Sequence, residues 1–161
     1  MFRAGPHGKP DLAWPVEDIS FNLSHTGGLA LVAITGSGRV GIDVEAVRSE
    51  IEIEDLSRRF FVPAEAAEIL ALSPDARLAA FFACWTRKEA FVKALGGGLS
   101  VPLDRFQVSV RRDQPARLLW ADGEESDRWT LVDVSEPGVA AALVVEGPTP
   151  MLRRVNFVPP S

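Results

Sequence analysis

The sequence predicts an α+β fold: an antiparallel sheet packed with one long and two shorter helices. Three observations predict it. Strand-like segments fill residues 19 to 47, helical periodicity takes over from Glu54 to Leu95, and strand-like segments return from Phe106 to Val145. Strands, then helices, then strands is the order of an α+β domain, not of alternating parallel β-α units. The helical block ends in one long run, and 161 residues with 47% apolar side chains suffice for one domain with a real core but not for two comfortable ones.

The elements follow in order. Residues 1–18, rich in Pro and Gly, read as an irregular approach segment, residues 19–147 as the folded domain and residues 148–161 as a C-terminal tail. Ile19 to Ser24 alternates as a strand, HTGG at 25–28 supplies a turn, Leu29 to Thr35 is a second strand, and GSGR at 36–39 leads into a third, Val40 to Val47; together they read as an antiparallel meander. Glu54 to Phe61 fits a short helix, and Pro63 to Leu72 a second that starts on a proline suited to a first turn. Ser73 then stands at the cap of a helix from Pro74 to Leu95, with a glycine run as its stop. Phe106 to Arg111, Ala116 to Trp120, Trp129 to Val134 and Val139 to Val145 complete the strands.

Bulk properties narrow the function classes. A net charge of −5 argues against a general nucleic-acid binder, which needs clustered cations to neutralise phosphates. No apolar run approaches the roughly 20 residues that span a bilayer, and MFRAGPHGKP has no hydrophobic signal core, so a cytoplasmic location is the expectation. Cys84 is the only cysteine; it reads as a small buried hydrophobe, with no disulfide or cysteine-based metal site. Of 17 Lys plus Arg only three are lysine, Lys9, Lys88 and Lys93, which marks those positions for attention because a compact ammonium and a guanidinium do different work.

Chemistry concentrates in three stretches. In GIDVE at 41–45, strand alternation turns Gly41, Asp43 and Glu45 to one face and Ile42 and Val44 to the other. Two like charges on one strand face suit either a solvated edge or half of a divalent-cation site, since Mg2+ binds through one or two carboxylates plus substrate phosphates. On the long helix Phe82, Thr86, Glu89 and Lys93 share one stripe, while Phe81, Trp85, Val92 and Leu95 belong to the core-facing side. Glu89 is thus a candidate third acid, or else half of a solvated ion pair with Lys93; Lys88 alone reads as a surface residue. In NLSHTGG at 22–28, Ser24, His25 and exposed backbone N–H groups gather at one strand end, which suits a phosphate or a plain turn; Asn22 reads as structural.

These motifs, in this order, resemble the 4'-phosphopantetheinyl transferases of the Sfp type: GKP at 8–10, NLSHT at 22–26, GIDVE at 41–45 and WTRKEAFVK at 85–93, followed by GLSVPLDRF at 98–106. The likeness runs from Gly8 to about Val145. It implies a 4'-phosphopantetheinyl transferase-like fold and transfer of phosphopantetheine from coenzyme A to a serine of an acyl or peptidyl carrier protein. It further implies Asp43, Glu45 and Glu89 as Mg2+ ligands, Lys9, Ser24, His25 and Lys93 as contacts to coenzyme A, and Glu89 with Lys93 and Lys88 as the catalytic groups. Sfp-type enzymes consist of two similar halves with coenzyme A between them, and the chain starts almost at GKP, so most of the N-terminal half is expected to be lacking. Self-association to complete the coenzyme A cleft, an inactive module that binds carrier protein or coenzyme A, and a metal-dependent phosphohydrolase using the same acids are the alternatives.

Overall fold

A computed structural model describes residues 2–4, 10–12, 19–98 and 101–157. Two three-residue strands, β1 (Phe2–Ala4) and β2 (Pro10–Leu12), pair antiparallel within the segment expected to be irregular. β3 (Ser20–Thr26) and β4 (Leu29–Thr35) form a hairpin closed by Gly27 and Gly28, both at positive φ (49° and 86°). Two successive left-handed residues match the right-handed twist of the strands, and glycine adopts them without a Cβ penalty. The turn is therefore two residues long, and His25 and Thr26 stay in the strand.

β5 (Val40–Ala46) follows, then α1 (Ile53–Phe60), α2 (Pro63–Leu70) and α3 (Pro74–Leu95). α3 occupies the range the sequence predicts. Gly96 at φ 74° ends it, its N–H bonded to the carbonyls of Val92 and Lys93; Ser73 holds the cap position through its backbone carbonyl and makes no side-chain cap bond. β6 (Phe106–Val108) and β7 (Leu118–Ala121) make a second hairpin, and β8 (Trp129–Asp133) and β9 (Val139–Glu146) a third. Residues 149–157 contain neither helix nor strand.

The expected meander does not form. β5 pairs with β9, and the three-stranded sheet runs β5-β9-β8, while β3 and β4 make a separate two-stranded sheet. The reason lies in alternate side chains of β3. The free N–H groups of β5 are met by side-chain oxygens: Ile42 N–H donates to Asn22 Oδ1 (2.9 Å), Val44 N–H to Ser24 Oγ (3.3 Å) and Ala46 N–H to Thr26 Oγ1 (3.3 Å). A polar period of two on β3 thus seals an edge that backbone pairing would otherwise occupy.

The three-stranded sheet is covered on both faces. On one, α3 packs against β5 and β9, where Ala140, Ala142 and Val144 alternate toward it. On the other, Ala33 of the hairpin packs with Val40, Ile42, Leu143 and Val145. α3 is enclosed on most sides, with twelve buried residues including Phe82, Thr86, Arg87 and Lys88, because α1, α2 and the 101–110 segment close over the side facing away from the sheet. Arg87 spends its guanidinium on the carbonyls of Ser109 (2.7 Å) and Arg111 (3.1 Å) and on Asp133 (3.4 Å). At the far end of the sheet Arg39 bonds Glu124 and Glu146 and lies 4.5 Å above the Trp129 ring.

Candidate active site

The strand alternation of GIDVE holds, but its acidic face meets α3, not water. Gly41 makes this possible. A Cβ there would collide with the Ala90 carbonyl and the Ala94 N–H of α3, so only glycine lets the helix lie directly on the strand. That contact sets Asp43 and Glu45 against the turn of α3 carrying Glu89 and Lys93. Together with Ser24, His25, Leu23, Val44 and Trp85 they line one open cleft of about 450 Å³. Asp43, Glu45, Glu89, Lys93, Ser24 and His25, far apart in sequence, are thereby brought to one place.

Asp43 is the most buried of the acids, at 4% exposure. Its Oδ1 accepts from Lys93 Nζ (2.7 Å) and from Ser24 Oγ (3.0 Å), and Lys93 also donates to Ser24 Oγ (2.9 Å) and the Ile42 carbonyl (3.2 Å). Its Oδ2 is buried with no hydrogen-bond partner among the described residues. A buried carboxylate oxygen in that condition pays its desolvation uncompensated, which marks a position for a ligand. Burial, and after it the charge of Asp43, raises the pKa of Glu45. Glu89 is raised by the same two causes in the same order, with Lys93 opposing and Glu45 adding. The three carboxylates repel one another and gain from a shared cation. Among the described residues no three His, Cys, Asp or Glu side chains are drawn close enough to hold a metal ion as they stand. The donor set is nonetheless one of hard oxygens with an orphaned buried member, and it fits Mg2+.

The other expectations fare differently. Ser24 is buried, and its hydroxyl is fully engaged: it donates to Asp43 and accepts from Lys93 and the Val44 N–H. His25 next to it is exposed at the cleft. Lys9 lies outside the described residues. Lys88 requires a correction. Read from the sequence as a surface residue and a catalytic candidate, it is fully buried, outside the cleft, and donates to the carbonyls of Leu103 (2.7 Å) and Phe106 (2.6 Å) while paired with Glu65 at 2.8 Å. Phe82 and Thr86 are buried as well, and Trp85, placed by the sequence on the core-facing side, walls the cleft while its ring packs on Phe60, Phe61 and Phe81.

Glu65 is the residue that sequence reasoning missed. It stands at the third helical position of α2, two residues after Pro63, where a glutamate reaches back to the backbone at the helix start. That spacing was the available signal. In the structure Glu65 Oε2 accepts from Val62 N–H (3.1 Å) and Oε1 from Val108 N–H (2.7 Å).

The profile of the 4'-phosphopantetheinyl transferase superfamily (ACPS) matches residues 39–144, and the chain belongs to that superfamily. It is 34% identical over 143 residues to the 4'-phosphopantetheinyl transferase HetI of a Nostoc species, covering 87% of this chain and 58% of that protein. It is 37% identical over 112 residues to the transferase Sfp of Bacillus subtilis, covering 70% of this chain and 48% of the relative. The chain thus spans about half the length of the relatives it matches. In fold it is similar to the holo-(acyl-carrier-protein) synthase of Bacillus anthracis, whose structure is a complex with CoA (3',5'-ADP), with a TM-score of 0.52 and 22% identity over 68% of this chain and 96% of that one. The synthase of Thermotoga maritima shows the same fold, with a TM-score of 0.51, 24% identity and coverage of 68% and 62%. No helix among the described residues is long and apolar enough to cross a membrane.

Proposed function

We propose that this chain carries the catalytic acids of a Mg2+-dependent 4'-phosphopantetheinyl transferase, which moves phosphopantetheine from coenzyme A to a serine of an acyl or peptidyl carrier protein. The observation that carries the reading is the buried Oδ2 of Asp43, without a hydrogen-bond partner among the described residues, in a cleft shared with Glu45, Glu89 and Lys93. Asp43, Glu45 and Glu89 would hold the ion. When bound, Mg2+ neutralises diphosphate oxygens and so lowers the barrier to attack at phosphorus.

The chain's own residues supply the rest. The carrier serine oxygen attacks the phosphorus next to the pantetheine arm, the bond from that phosphorus to the bridging oxygen breaks, and adenosine 3',5'-bisphosphate leaves with the electron pair. Glu89, which lines the cleft beside the other acids, takes the serine proton. Lys93, its N–H groups engaged by Asp43, Ser24 and the Ile42 carbonyl, adds positive charge on the leaving phosphate side. His25, exposed at the cleft, is the group of the NLSHT segment available to a phosphate of coenzyme A, because Ser24 is occupied within the acid network. Trp85 gives the cleft an apolar wall.

The test is carrier labelling. The chain, coenzyme A, Mg2+ and an apo carrier protein are incubated, and the mass of phosphopantetheine on the carrier is sought by mass spectrometry. Glu89→Gln is expected to lower transfer by about 100-fold or more with the fold intact, the usual loss for a general base. Asp43→Ala is expected to abolish both transfer and its Mg2+ dependence. Near-normal turnover in Glu89→Gln, or saturable Mg2+ activation in Asp43→Ala, would remove those assignments. Consumption of coenzyme A without carrier modification would indicate a hydrolase instead, and carrier binding without modification a recognition module.

A further inference from the structure

Lys88 directly precedes Glu89 on α3, yet it points into the core, where its ammonium and the Glu65 carboxylate are both 0% exposed. The arrangement is closed. The three N–H groups of Lys88 go to the Leu103 carbonyl, the Phe106 carbonyl and Glu65; the two oxygens of Glu65 take the backbone N–H groups of Val62 and Val108 besides Lys88. One ion pair therefore ties the start of α2, the middle of α3 and the segment leading into β6. The Lys88 ammonium also lies 4.3 Å from the centre of the Phe106 ring.

Between the two charges themselves desolvation consumes most of the attraction, so the pair's stabilising part lies in the four backbone groups it satisfies, Val62 and Val108 N–H and the Leu103 and Phe106 carbonyls. What hydrogen bonds in several directions add over apolar contact is orientation. We infer that the Glu65–Lys88 pair is a positioning device: it fixes the rotation of α3 about its axis and so the direction in which Glu89 meets Asp43 and Glu45. Groups that bond a metal ligand directly typically contribute about 10- to 100-fold to metal affinity. This pair bonds none of the three acids and acts at one remove, through the backbone of α3, so a loss near the lower end of that range is expected. The inference rests on the role proposed for Glu89 above.

The test reads metal binding to the folded chain, independently of turnover. Mn2+, as a paramagnetic stand-in for Mg2+, is titrated into the wild type, Glu89→Gln, Glu65→Asp and the double variant Glu65→Leu/Lys88→Met, with circular dichroism and melting recorded for each. The double variant leaves the Val62 and Val108 N–H groups and the Leu103 and Phe106 carbonyls without their side-chain partners, so it is expected to melt below the wild type and, at temperatures where it is folded, to bind Mn2+ about tenfold more weakly. Glu65→Asp, which keeps the charge on a shorter arm, is expected to fall between, and it carries the test by itself should the double variant fail to fold. Wild-type Mn2+ affinity in the folded variants, with affinity lost in Glu89→Gln, would overturn the positioning role alone. Unchanged affinity in Glu89→Gln, or no Mn2+ uptake by the wild type, would remove the metal-site reading and this inference with it.

Discussion

Asp43 shows how much one residue depends on its surroundings. Seen as part of GIDVE, it is one of two repelling acids with water as the plainest partner; in the folded chain one oxygen is shared by Lys93 and Ser24 and the other is buried with no hydrogen-bond partner among the described residues. The residue that makes this possible is Gly41, two positions earlier, through the direct contact of β5 with α3. Gly41→Ala forces a Cβ into the backbone of Ala90 and Ala94, which cannot give way as a flexible side chain would. It is expected to destabilise the chain by about 1–3 kcal/mol or more, the range for overpacking, and to weaken Mn2+ binding by separating Asp43 from Glu89. A urea unfolding midpoint and a Mn2+ titration check both; an unchanged midpoint would show that the helix can stand away from the strand.

Among the elements, β3 does unusual work. Its inward side chains Asn22, Ser24 and Thr26 satisfy successive free N–H groups of β5, a ladder built from side chains where a neighbouring strand would use its backbone. Asn22 is buried, so Asn22→Leu strands the Ile42 N–H away from water and is expected to cost about 1–3 kcal/mol. Thr26→Val is expected to cost less, because the Thr26–Ala46 bond is only partly buried. Denaturant melts of the two variants rank them; equal losses would mean that water replaces the Asn22 oxygen. The alternation of β3 and the helical period of α3 were legible in the sequence, since both are local patterns. The pairing of β5 with β9 was not, because it joins segments about a hundred residues apart and no local signal specifies such a partner.

At the scale of the whole molecule the sheet end is held by Arg39, which bonds Glu146 through Nε (2.9 Å) and Nη2 and Glu124 through both Nη atoms. These bonds lower the Glu146 pKa to about 2. Because the folded-state value lies below the unfolded one, the native chain resists protonation at this site. The stabilisation is full above the ordinary carboxylate range near 4.5 and is lost as the pH falls toward about 2. Melting temperature should therefore drop across that window, and Arg39→Met should flatten part of the drop; an acid limb of the same slope in the variant would assign the loss to other carboxylates.

The sequence by itself determined the class of fold, the long helix to its end residues, and the motifs that carry the chemistry, because period, caps and turn residues act within a few positions of one another. It also brought forward Asp43, Glu45, Glu89 and Lys93, on spacing and on resemblance. Tertiary structure decided which of the neighbouring charges face the cleft. Lys88 and Glu89 are adjacent and similarly polar, and nothing local says that α2 and the 101–110 segment close over one and leave the other beside β5. The same packing drew Glu65 into the core, engaged the Ser24 hydroxyl and turned Trp85 toward the cleft. Burial arises from contacts between distant segments, so the role of each charged side chain was settled only when those segments met.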